Sequence, residues 1–82
     1  MSKYIQTKQE LGQKLKFIRE RLDLTQKEVA DKLCVERSTY TYYETGKTEP
    51  TALTLARLAE IFDIDLADII SKKFFTENKK FY

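Results

Sequence analysis

The sequence predicts a single all-helical domain, and three observations carry that prediction. Apolar residues recur at intervals of three and four from Leu11 onward, the period of a helix with one buried face. Only two Gly and one Pro occur in 82 residues, which leaves little material for β-turns and long loops. The segment Thr25-Gln26-Lys27-Glu28 has the T-x-x-E form in which the first side chain and the fourth each close a free amide at a helix start. A chain this short has room for one domain and buries roughly 60% of its unfolded surface, enough for a modest core.

The elements follow in order. Leu11, Leu15, Ile18 and Leu22 share one face, so a first helix is expected from about residue 8 to 22. Asp23 stands where the chain must turn. A second helix starts at Thr25 and turns Val29, Ala30 and Leu33 inward. Cys34 and Val35 break it, Cys34 being expected as a small buried turn residue. A third helix is expected over 36–44, closed by Gly46, which takes a left-handed conformation without penalty. Thr51 follows Pro50 and can cap a fourth helix over 52–62, with Leu55, Leu58, Ala59 and Phe62 inward. Asp65 is expected to cap a fifth over 66–71, with Leu66, Ile69 and Ile70 inward. Ser71 to Tyr82 is basic and aromatic with no clear period. The organisation is thus a domain over 1–70 and a tail over 71–82.

The third helix has two unlike faces. At about 100° per residue, Tyr40 and Tyr43 fall together on one side, while Ser38 and Tyr42 fall opposite, flanked by Arg37 and Thr41. Tyrosines 40 and 43 are therefore assigned to the core. The other set is an outward array of hydrogen-bonding groups on a short helix that follows another after a tight turn. That layout is a helix-turn-helix, whose second helix enters the DNA major groove.

Composition excludes other classes. The chain has no His, which removes the commonest general base and metal ligand. One Cys allows no intramolecular disulfide and, without His, no catalytic dyad. Asp63, Asp65 and Asp68 cluster, but two of them lie at a helix start, where acids complement the helix dipole. No glycine-rich loop is present to hold a nucleotide phosphate. No enzymatic activity, cofactor or metal is expected. The N-terminus lacks a signal-like apolar run and no stretch approaches a membrane span, so a cytoplasmic protein with no membrane partner is expected. Net charge is only +2, yet residues 1–47 carry ten Lys and Arg against seven acids, and residues 48–70 carry one Arg against five. That distribution is compatible with a nucleic-acid partner for the first half.

Residues 15–70 resemble the lambda repressor and Cro type (XRE family) of helix-turn-helix domain. The resemblance rests on Arg19, on the segment LTQKEVADKL, on YETGKTEP after the third helix, and on LAEIFDIDLADII. It implies a five-helix domain with the helix-turn-helix at helices two and three. It also implies sequence-specific binding of double-stranded DNA by a transcriptional regulator of bacterial or phage type, associated with the nucleoid. Repression by a homodimer on a pseudo-palindromic operator is the expected mode. Arg37, Ser38 and Tyr42 match base-reading positions, and Thr41 lies close to them. Thr39 and Lys47 match backbone-contacting positions. Gln26, beside Thr25 at the start of the second helix, matches a residue that touches phosphate and can brace the reading helix. Arg19 and Glu44 match a structural salt bridge between helices one and three. The side-chain chemistry agrees: Arg suits the paired acceptors of guanine, Ser and Thr bond more than one base edge, and Lys is a point charge for phosphate.

The chain departs from that pattern at Cys34, where Gly is usual, and at Glu36, a poor cap in place of Ser or Thr. It also departs at Tyr42, which is bulkier than usual, and at Phe17, which lies off the apolar stripe. Phe17 is paired in expectation with Phe74 and Phe75 of the tail, at a dimer interface or across the domain. The alternative functions are an antitoxin, whose partner is a toxin, and a helix-turn-helix that binds protein without binding DNA.

Overall fold

The computed structural model describes residues 2–73, and five helices account for most of them: α1 (Lys8–Arg21), α2 (Gln26–Leu33), α3 (Arg37–Thr45), α4 (Ala52–Phe62) and α5 (Leu66–Ile70). The all-helical prediction holds. The single departure among the described residues is an isolated antiparallel bridge between Tyr4 and Ser71. Around it Ile5 N–H donates to the Ile70 carbonyl at 2.7 Å and Lys72 N–H to the Lys3 carbonyl at 3.0 Å. The segments before α1 and after α5 are thereby tied together.

Each helix start shows the chemistry that sets it. The Thr7 hydroxyl accepts from the Glu10 amide at 3.1 Å. At α2 the capping box is complete: the Thr25 hydroxyl accepts from the Glu28 amide at 3.0 Å, and the Glu28 carboxylate accepts from the Thr25 amide at 2.8 Å. Thr51 caps α4 through the Thr54 amide at 3.1 Å. Two starts differ. Glu36 occupies the cap position of α3 with no side-chain bond, so the helix begins at Arg37 and runs to Thr45. Asp65 stands at the cap of α5, but only its backbone carbonyl receives the helix, from the Asp68 amide at 3.0 Å.

Helices α1 to α4 end at or beside a left-handed residue, whereas α5 ends at the extended Ser71. Gly46 closes α3 at φ 80°, as its type predicts. Asp23, Cys34 and Asp63 take the same conformation at φ 60°, 61° and 57° with a side chain present. Cys34 is exposed and not a buried turn residue, because a left-handed cap turns its Cβ out from the helix pair.

α1 packs chiefly on α3, α2 bridges α3 and α4, and α5 closes against α1 and α4. The core is Leu11, Leu15, Ile18, Val29, Ala30, Leu33, Tyr40, Leu58, Ala59, Phe62 and Ile69. Leu22, Tyr43, Leu55 and Ile70 are half-buried against it. Leu66, expected inward, is exposed: it opens a five-residue helix too short to bury more than Ile69 fully. Two residues brought no expectation. Gly12 lets α1 meet α3 backbone to backbone, since a Cβ there would collide with the carbonyl oxygens of Glu44 and Tyr43. Lys14 is fully buried, its ammonium donating to the carbonyls of Asp68 at 2.7 Å and Ser71 at 2.6 Å. Burial pushes its pKa down to about 8, against the opposing pull of Asp68.

Candidate nucleic-acid interface

The sequence forces α3 to lie on its neighbours by one side only, and that side is fixed by a polar network as well as by packing. Tyr40 is fully buried and meets the half-buried Tyr43 edge to face, with centroids 6.3 Å apart. One turn on, Glu44 is buried and receives Arg19 of α1 in two bonds, Nε to Oε2 at 2.6 Å and Nη2 to Oε1 at 3.1 Å. The third arm of the guanidinium donates to the Leu24 carbonyl at 2.8 Å. Arg19 and Glu44 thus form the expected bridge between α1 and α3. The pair extends further than expected. Gln26 of α2 donates its amide to Glu44 Oε1 at 2.9 Å, and its oxygen accepts the Thr41 hydroxyl at 2.9 Å. Side chains of α1, α2 and α3 are therefore linked in one chain, Arg19 to Glu44 to Gln26 to Thr41.

The electrostatics agree with that geometry. Burial pushes the Glu44 carboxyl up, but hydrogen bonds from Arg19 and Gln26 outweigh burial and hold it below the ordinary glutamate range. The bond to Glu44 raises Arg19 above its usual value. Burial first, then the nearby Glu44 carboxylate, pushes the Tyr40 phenol upward.

The opposite side of α3 faces solvent. Arg37, Ser38 and Tyr42 are exposed there, Tyr42 by 40%. Thr41 and Thr39 are half-buried. Thr41 differs from the free reader that helical spacing alone describes, because its hydroxyl proton is given to Gln26; its methyl and its remaining acceptor capacity are left. Gln26 likewise keeps one amide proton beyond its bond to Glu44. Lys47 is exposed just past the Gly46 cap, with Nζ 4.5 Å from the centroid of the Tyr42 ring. Thr25 sits exposed at the positive end of α2. The face therefore presents Arg37, Ser38 and Tyr42 along α3, with Thr25 and Gln26 at the start of α2 and Lys47 past the end of α3.

The turn between α2 and α3 has a support that no local pattern announced. Arg57 of α4 donates to the Leu33 carbonyl at 2.7 Å, satisfying an acceptor at the end of α2 where Cys34 replaces glycine. Phe17 is half-buried against the core, and the Arg21 guanidinium lies 5.5 Å from its ring centroid. Its expected partners, Phe74 and Phe75, lie outside the described residues. Among the described residues no helix is long and apolar enough to cross a membrane.

Comparison with known proteins meets this geometry. Residues 15–69 match the helix-turn-helix family model. Over 55 residues the chain is 42% identical to an uncharacterised HTH-type transcriptional regulator, YqaE, of Bacillus subtilis, covering 67% of this chain and 47% of that one. Over 58 residues it is 34% identical to the cryptic phage CTXphi transcriptional repressor RstR of Vibrio cholerae, covering 71% and 52%. The chain thus spans about half the length of these two relatives. Among solved structures, the restriction-modification controller protein C.AhdI of Aeromonas hydrophila superposes with a TM-score of 0.74 at 24% identity, over 77% of this chain and 96% of that one. The fold, the two-helix unit and its outward polar face, and the match over residues 15–69 place the chain in the helix-turn-helix family of transcriptional regulators, of the lambda repressor and Cro type.

Proposed function

We propose that this chain is a sequence-specific, double-stranded DNA-binding repressor. It acts by binding and not by catalysis, with α3 in the major groove. One observation carries the reading: α3 is held from behind by Tyr40, Glu44 and the Gln26–Thr41 brace, which leaves Arg37, Ser38 and Tyr42 together on its free side. Arg37 is the candidate for a guanine edge, and Ser38 and Tyr42 for adjacent bases. Thr41 supplies its methyl and its remaining acceptor. Thr25, Gln26, Thr39 and Lys47 are the candidate backbone contacts, which fix register on the duplex. A domain of this size covers one half-site, so a homodimer on a pseudo-palindromic operator is the working assembly. The repressor named among its relatives supports the direction of regulation.

The test is a base-preference matrix for wild type and two variants. Arg37→Ala is expected to cost about 1–3 kcal/mol of specific binding and to relax preference at one base pair per half-site. Lys47→Ala is expected to weaken all sequences, to lower the salt slope by about 1, and to leave the Arg37 base pair as selective as before. An Arg37→Ala matrix identical to that of wild type would remove Arg37 from the readout.

A further inference from the structure

The end of α3 is organised around one carbonyl. Tyr42 C=O accepts from the amides of Gly46, of Lys47 at 3.0 Å and of Thr48 at 3.2 Å, and from the Thr45 hydroxyl at 3.3 Å. Gly46 makes the reversal at φ 80°, pressed so close to α1 that a Cβ there would lie 2.9 Å from the Gln9 Cα. The residue after this turn is therefore folded back along the helix it has just left. Its ammonium comes to 4.5 Å from the Tyr42 ring centroid, within the range where a cation is attracted by an aromatic face. An exposed lysine otherwise has a flexible four-carbon stem and no fixed direction. Here the largest side chain on the outward face of α3 also holds the cation that follows the helix.

We propose that Tyr42 and Lys47 act as a single two-headed DNA contact. The edge and hydroxyl of Tyr42 meet a base, and its ring face sets the Lys47 ammonium against the flanking phosphate. This rests on the DNA-binding reading above and adds a specificity-determining pairing to it. A lysine independent of the reading helix contributes equally to every sequence. A lysine placed by Tyr42 contributes most where the ring is seated on its preferred base. Base selection and backbone attachment are then coupled at this one position, while Arg37 stays independent of Lys47.

A double-mutant cycle on the full chain tests this, with Tyr42→Leu, Lys47→Met and their combination. Affinity is measured by fluorescence anisotropy on a duplex selected by the wild type and on the same duplex changed at the base pair that Tyr42 selects. Each is titrated over a series of salt concentrations, and helical circular dichroism verifies that the variants fold. The expected results are threefold. The two single effects on the selected duplex exceed additivity by about two- to five-fold in affinity, the size of an exposed cation–π contact. Tyr42→Leu lowers the salt slope toward the Lys47→Met value, whereas Tyr42→Phe, which keeps the ring, retains the wild-type slope. Lys47→Met reduces discrimination at the Tyr42 base pair. Additive effects, with the full wild-type slope kept in Tyr42→Leu, would overturn the pairing and leave DNA binding standing. A wild-type chain with no salt-dependent duplex binding would overturn the DNA reading itself, and the pairing with it.

Discussion

Replacing Glu44 with alanine removes an acceptor that three bonds converge on. The side chains of Arg19 and Glu44 are 10% and 2% exposed, so the loss occurs away from water. Arg19 would keep only its bond to the Leu24 carbonyl, leaving two of its donors without a partner. Gln26 would lose the acceptor of its amide, and the Thr41 brace would lose its anchor. Removing one member of a buried pair costs about 3–5 kcal/mol, because the remaining charge stays desolvated. A domain of this length has on the order of 4–12 kcal/mol in total. Glu44→Ala is therefore expected to lose roughly a quarter of the stability or more. Arg19→Met combined with Glu44→Leu should recover much of that loss, since it removes both charges and fills the space. Denaturant melts of wild type, the single variant and the double variant measure this. A Glu44→Ala protein within about 0.5 kcal/mol of wild type would show instead the behaviour of an exposed pair.

Three further outcomes concern Cys34, Gly12 and Lys14. Cys34→Gly should raise stability, because Cys34 sits at φ 61° where a side chain costs roughly 1–2 kcal/mol, partly offset by the greater freedom of glycine when unfolded; an unchanged melting midpoint would mean that the turn stores no strain. Gly12→Ala should destabilise toward the upper end of ~1–3 kcal/mol although alanine is the better helix former, since the new methyl meets the α3 backbone; a gain in stability would contradict the close approach of α1 to α3. Lys14 has a folded pKa of about 8, below its ordinary value of 10.5, so the unfolded chain binds more protons between the two. Stability should therefore rise as pH rises through that window, by an amount on the order of 1–3 kcal/mol, and Lys14→Met should abolish the rise. Thermal melts between pH 7.5 and pH 10 measure it, and a fall in wild-type stability over the range would reverse the assignment.

How much was legible in the sequence depended on whether a feature was local. The capping box at Thr25, the cap at Thr51 and the left-handed Gly46 are written in a few neighbouring residues and appear as read. The two faces of α3 followed from its period, which placed Tyr40 inside and Tyr42 outside. The Arg19–Glu44 bridge came from the family pattern, because no spacing rule joins residues on different helices. Its extension through Gln26 to Thr41 depends on how α2 crosses α3, which neither period nor composition encodes. Lys14 carries a sequence signal of its own: it lies three residues after Leu11 and four before Ile18, within the apolar stripe of α1. A lysine there must find acceptors away from water, and the Asp68 and Ser71 carbonyls at the end of α5 provide them. Gly12 likewise carried a hint, since a glycine inside a helix often marks close backbone approach. The bridge between Tyr4 and Ser71 joins segments from opposite ends of the described chain, and neither segment has a strand-like pattern of its own.

If the outward face of α3 reads duplex DNA while cations around it hold the backbone, binding must depend on both sequence and salt. The most direct measurement is the affinity of the full chain for a duplex enriched from a random pool, set beside a scrambled duplex, as a function of salt. A plot of log affinity against log salt should fall with a slope of several units, about 0.9 for each phosphate contact, with a specificity ratio of about 10³ or more at fixed salt. Equal affinity for the two duplexes, or a slope near zero, would contradict that role for α3.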